Sequence, residues 1–166
     1  MQRFSFQELI DHTICITGYD GDEANVVIPA ENGGAPITAI GDGVFQGHPE
    51  IVSVVLPDSV TYIGGFVFDG CTGLRGITLP AALTDIFQYA FARSGLEELV
   101  LPEGVASLPP FVFKDCKSLR RVVCPPGLRR IHAWAFQGCD PAIDLVHGPD
   151  TDVSPDAFAA PQRPRS

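Results

Sequence analysis

Apolar residues recur along this chain in a fixed order. Leu74, Ile77, Leu79, Leu83, Ile86, Ala90 and Phe91 form one set, with polar or small residues between them and Pro80 after Leu79. Leu96, Leu99, Leu101, Pro102, Val105, Leu108 and Phe113 restate it, as do Leu119, Val122, Cys124, Pro125, Leu128, Ile131 and Phe136. Ile51 opens the series and runs through Leu56, Pro57 and Ile63 to Phe68. The closing phenylalanines, Phe45, Phe68, Phe91, Phe113, Phe136 and Phe158, stand 23, 23, 22, 23 and 22 residues apart. A period of this length held over most of a chain marks a solenoid, with each unit one coil. One residue is missing between Phe91 and Leu96, where Ala92-Arg93-Ser94-Gly95 makes a shorter turn.

Within a unit, Ile77-Thr78-Leu79 alternates apolar, polar, apolar, which predicts a short strand with its apolar side chains inward. Pro80 removes a backbone donor and ends it. Leu83 and Ile86 turn the chain onto a second face, and the segment around the phenylalanine is long enough for one helical or 3-10 turn. Cys71, Cys116 and Cys139 share the slot that closes the coil, where a small buried thiol fits. About six inward residues per unit, at about 1.5–3 kcal/mol each, do not offset the roughly 1–2 kcal/mol per residue lost in ordering 23 of them. A lone coil is therefore unstable, and its neighbours must cover both open sides.

The pattern resembles the BspA-like (treponemal) subtype of leucine-rich repeat, in which a strand ending in Leu-Pro leads to Ile-Gly and then Ala-Phe. Ile40-Gly41, Ile63-Gly64, Ala90-Phe91 and Ala135-Phe136 carry the likeness, and Ile14 to Gly21 followed by Asn25 to Pro29 is similar to the opening of such chains. Ala82 stands where the general leucine-rich signature has Asn or Cys. The resemblance implies an α/β repeat solenoid, a right-handed coil of about five to six repeats with a parallel sheet. It also implies bacterial or protist surface and secreted proteins that bind other proteins. The expected organisation is a single repeat domain over 1–160, with repeats over 37–158 and a loose tail over 161–166. Residues 13–28 are expected to form the N-terminal capping hairpin, 13–17 pairing with 25–28.

Charge narrows the partners. Eleven basic residues against twenty acidic ones leave a net −9, which argues against nucleic acid and anionic membrane surfaces. No apolar run is long enough to span a membrane, so no insertion is expected. Residues 1–10 carry an acid at Glu8 and no long apolar stretch, so no secretion signal is expected there, and the compartment stays open. The acids are segregated: one base faces nine acids in residues 1–60, whereas residues 114–130 hold six bases and one acid.

On the outward side of the Leu-Pro strands the repeat aligns Val55, Thr78, Val100, Val123 and Val146. An apolar stripe of this kind is a candidate surface for a protein partner or for self-association; β-branched residues chosen for strand propensity are the somewhat stronger explanation. The next column, Ser53, Gly76, Glu98, Arg121 and Asp144, reads as a lateral charge ladder that fixes register, with Arg121 the candidate contact for an acidic ligand. The four histidines occupy unrelated repeat positions, and no nucleophile, base and orienter fall together. Neither catalysis, metal nor cofactor is expected. The reading is a noncatalytic protein-interaction module; the alternative is a structural or self-assembling segment of a larger surface protein, or an intracellular scaffold.

Overall fold

The repeat folds into short strands joined by turns, with one of the strands it demands missing. The computed structural model describes residues 2–162. In chain order the strands are β1 (Arg3–Glu8), β2 (Ile14–Asp20), β3 (Asn25–Val27), β4 (Glu31–Asn32), β5 (Ala35–Ile40), β6 (Ser53–Val55) and β7 (Tyr62–Ile63). There follow β8 (Asp85–Ile86), β9 (Glu98–Val100), β10 (Ser107–Leu108), β11 (Arg121–Val123), β12 (Arg130–Ile131), β13 (Asp144–Val146) and β14 (Asp152–Val153). Each coil but the one at residues 76–78 contributes a strand to each of two faces. The first face holds β3–β6 and β9–β11–β13, the second β2–β5–β7–β8 and β10–β12–β14, every one of these pairs parallel.

Between the faces runs one apolar core. Phe45, Phe68, Phe91, Phe113 and Phe136 are fully buried. Their rings stack with centroids 5.2–5.7 Å apart and planes within 15° of parallel, and Phe158 continues the column at 5.1 Å. The thiols of Cys71, Cys116 and Cys139 each donate to the carbonyl of the phenylalanine one coil earlier, Phe45, Phe91 and Phe113, at 3.0–3.1 Å. Close approach is obligatory at Gly95: a Cβ there would collide with the Thr72 carbonyl oxygen.

Three expectations change. No helix forms among the described residues; the segment around each phenylalanine is a string of turns. Its amides alternate: those of Ala90, Ala92 and Ser94 bond three residues back, and those of Phe91 and Arg93 reach Val112 and Lys114 in the next coil. The alternation comes from positive φ two residues before and two after the anchor, at Phe66 and Gly70, Tyr89 and Arg93, Phe111 and Asp115, Trp134 and Gly138. Left-handed residues at that spacing cannot propagate a helix.

The N-terminal hairpin is β1–β2, not 13–28. β1 pairs antiparallel with β2, while β3 joins β6 in parallel as an extra coil strand. Solenoid geometry places residue 25 beside residue 53, and this outranks proximity in sequence. The cap puts Tyr19 on Phe45 and Phe4 on Tyr19, ring centroids 5.1 and 5.4 Å apart, so the spine ends in aromatic rings. The Gln2 carboxamide closes the outer edge of β3, accepting from Val27 N–H and donating to Asn25 O.

Lastly, residues 76–78 form no strand, although their alternation predicts one. No ladder bond joins Gly76–Leu79 to β6 or β9 among the described residues. The next coil is the one short by a residue, and Gly76 leaves its backbone unbraced, with nothing within 4 Å of its Cβ position. The second face breaks at the same coil, between β8 and β10, for a separate reason. Gly64, Phe87, His132 and Ser154 each donate an N–H to the preceding coil, and the equivalent residue between β8 and β10 is Pro109, which has none. The tail expected at 161–166 lies outside the described residues from 163 on.

Candidate binding surface

The outward column of the first face is where the repeat places it. Val55 and Val100 are 56% and 64% exposed, Thr78 is exposed, Val146 is at the margin of exposure and Val123 is half-buried. Register aligns Val100, Val123 and Val146 directly, and aligns Val55 with Val27, an exposed valine that the sequence reading left out. Its signal was available, because Asn25-Val26-Val27 has the alternation of the later strands.

The break at residues 76–78 turns part of this face into a groove of about 820 Å³. Val55, Thr78 and Val100 line it, with Asp58 and Glu98 on its walls and Pro80 and Pro102 at one side. Val123 and Val146 lie outside it. The backbone groups of Gly76–Leu79, free of the ladder, are left to water or to a ligand. Arg121 is committed sideways: it lies between Glu98 and Asp144 in register, and its Nη1 reaches Asp144 Oδ2 at 2.7 Å. Glu97 likewise holds Arg75 at 3.0 Å and Arg120 at 3.2 Å. These exposed pairs contribute at most about 1 kcal/mol each; their effect is to keep coils in register.

A second aromatic column lies on the turn side. Phe66, Tyr89, Phe111 and Trp134 stack with centroids 4.5, 4.9 and 5.5 Å apart and planes 6°, 13° and 22° from parallel. Phe66 is 37% exposed and the other three are half-buried. Each has φ between 61° and 66°, where an L-residue is strained by about 1–2 kcal/mol. A stacked pair returns about 0.5–1.5 kcal/mol beyond burial, so three pairs only partly offset four strained residues. Tyr62 and Phe87 form a separate ring pair, their centroids 4.7 Å apart. Burial, and then the Asp42 charge, raise the Tyr62 phenol above its ordinary value.

Inside, Asp69 is buried and takes both Arg93 Nε and Nη2, at 2.8 and 2.9 Å, together with Gln46 Nε2 at 3.0 Å. Burial pushes the Cys71 thiol up to about 12 and Cys124 up to about 11. The adjoining Cys116 thiol, and then burial, push Cys139 higher still. No three metal-ligating side chains converge among the described residues. No helix among them is long and apolar enough to cross a membrane.

Two-faced coils of about 23 residues, stacked on a phenylalanine spine, define a solenoid of the leucine-rich-repeat kind. Residues 38–162 match, in six copies, the family described as BspA-type leucine-rich repeat region, and the chain belongs to it. Among solved structures it is similar to a leucine-rich repeat protein of T. pallidum, at 28% identity and a TM-score of 0.72, over 86% of this chain and 78% of that one. It is also similar to a leucine-rich cell-surface protein of Faecalibacterium prausnitzii, at 28% identity and a TM-score of 0.64. That match covers 87% of this chain but only 48% of the longer protein. A Bacteroides ovatus leucine-rich repeat protein shares the fold at 23% identity, a TM-score of 0.54, and 77% and 45% coverage. A search of curated proteins finds no match.

Proposed function

We propose that the chain is a noncatalytic protein-interaction module that takes an extended segment of a partner polypeptide into the groove of its first face. The observation that carries this is the coincidence, at one place, of exposed Val55 and Val100 with the unpaired backbone of Gly76–Leu79. An extended peptide supplies both apolar side chains for the walls and backbone groups for the floor. Asp58 and Glu98 favour a segment that carries a base. Leucine-rich repeats generally serve as interaction surfaces, and the name of the F. prausnitzii relative supports a place at the cell surface. The self-assembling alternative is opposed by charge: residues 1–60 are net −8, and residues 131–166 hold five acids against two arginines, net −3, so stacking end on end brings like charges together.

A displayed library of linear peptides selected against the full chain tests the groove. Selected peptides are expected to lose about tenfold or more in affinity (about 1.4 kcal/mol) toward Val100→Arg, and little toward Val146→Arg, two coils away. Binders indifferent to Val100→Arg, or a library that yields none, overturn the proposal.

A further inference from the structure

The second aromatic column ends abruptly. Its repeat position in the coil before Phe66 is Gly43, which has no side chain to cover the outer face of the Phe66 ring. That ring is the most exposed of the four. Beside Gly43 stands Asp42, an exposed carboxylate whose Oδ1 accepts the Gly65 N–H at 2.8 Å. Its Oδ2 has no partner among the described residues. The Asp42 charge also reaches the Tyr62 phenol.

A flat aromatic face next to a carboxylate with one oxygen to spare is suited to a planar cation. The column already uses this chemistry internally: Lys114 Nζ lies 6.0 Å from the centroid of the Tyr89 ring. The surrounding segment, with nine acids against one base in residues 1–60, draws cations toward this end of the solenoid.

We propose that Phe66 and Asp42, beside Gly43 and the Gln46 carboxamide oxygen that lies 3.2 Å from where a Gly43 Cβ would stand, form a seat for an arginine side chain of a partner protein, its guanidinium stacked on the exposed part of Phe66 and hydrogen-bonded to Asp42. Guanidinium is preferred to ammonium because it is planar, weakly hydrated and able to stack and donate at once. The seat lies on the turn side, apart from the groove, and does not depend on it. Tyr89 behind Phe66 holds the ring in place, which accounts for an aromatic residue at a backbone position that favours glycine.

The test titrates a short glycine-spaced arginine peptide, its lysine copy and its citrulline copy into the full isotope-labelled chain, with amide shifts followed by two-dimensional NMR. The expected result is that the arginine peptide perturbs the amides of Gly43, Gly65 and Phe66. Phe66→Leu, which keeps apolar bulk without a ring, and Asp42→Asn are each expected to weaken binding about fivefold or more. Glu31→Gln removes the same charge from an exposed site elsewhere and is expected to change little. Equal weakening by Glu31→Gln, shifts spread evenly over the acidic residues, or lysine or citrulline copies that bind as well as arginine would each overturn the assignment. So would a seat filled better by an uncharged aromatic peptide.

Discussion

The buried Cys71 thiol donates to the Phe45 carbonyl of the coil before it, and it stays protonated because its surroundings cannot solvate a thiolate. For Cys71 the thiol titrates near 9.0 when unconstrained and at about 12 in the fold. Below pH 9 both states are protonated and the shift adds no pH dependence. Between pH 9 and 12 the unfolded chain releases the proton and the folded one keeps it, so stability falls by about 1.4 kcal/mol per pH unit for this group. Urea unfolding of the parent and of Cys71→Ala at pH 8 and pH 10.5 checks the effect. The variant starts less stable but declines less steeply, and identical slopes would refute it. The slot of Cys71, Cys116 and Cys139 was legible from spacing alone, because the core demands a small buried side chain in these coils, with Ser94 in the same slot between them. The ring column at Phe66, Tyr89, Phe111 and Trp134 was not. Its spacing is as regular, yet whether a residue points in or out depends on φ, and an aromatic sequence gives no sign of a left-handed backbone.

At the scale of the element, the second face is interrupted between β8 and β10, where Pro109 withholds one donor and the bond made to the preceding coil at the strand entry is missing as well among the described residues. In the other coils the residue after the isoleucine strand donates to the preceding coil, and Pro109 leaves the Ile86 carbonyl without that donor. In Pro109→Ala the restored hydrogen bond contributes about 0.5–1.5 kcal/mol. Loss of the proline constraint in the unfolded chain takes away about 0.4–1 kcal/mol. The two nearly cancel, so overall stability is the wrong readout. Hydrogen exchange is the right one: the new amide at position 109 is expected to be protected like those of Phe87 and His132, and rapid exchange there would show that the faces are held apart by something other than the missing donor. The proline was visible in the sequence, but its consequence required knowing that its slot donates between coils. The break at residues 76–78 was still less legible, since Ile77-Thr78-Leu79 alternates as well as any strand in the chain. The strand is undone where Gly76 leaves the backbone unbraced and the coil after it is short by a residue, and the second of these is non-local, so no local pattern carries it. The cap failed for the same kind of reason: residues 25–28 sit near 13–17 in sequence, but the coil geometry gives them to β6.

For the whole molecule, charge runs along the solenoid axis as acid, base, acid. The basic belt of residues 114–130 is wrapped around one coil, and its arginines at 120 and 121 are already paired with Glu97 and Asp144. Both ends therefore present negative charge, while the outer edges of β13 and β14 at the last coil have no neighbouring strand among the described residues. An open sheet edge invites pairing, and at the first coil Gln2 answers that with its carboxamide; at the last coil like-charge repulsion with the far end of another copy does so. Repulsion of this kind between exposed charges is screened within about 10 Å at 0.1 M salt and about 3 Å at 1 M. The chain is thus expected to scatter as a monomer at low ionic strength over the accessible concentration range. Raising the salt should weaken the barrier, and replacing Asp144, Asp150 and Asp152 with asparagine should do so without salt. Stable oligomers at low ionic strength that persist in the triple variant and dissolve in high salt would show the opposite, that attraction between the basic belt and an acidic end joins the copies.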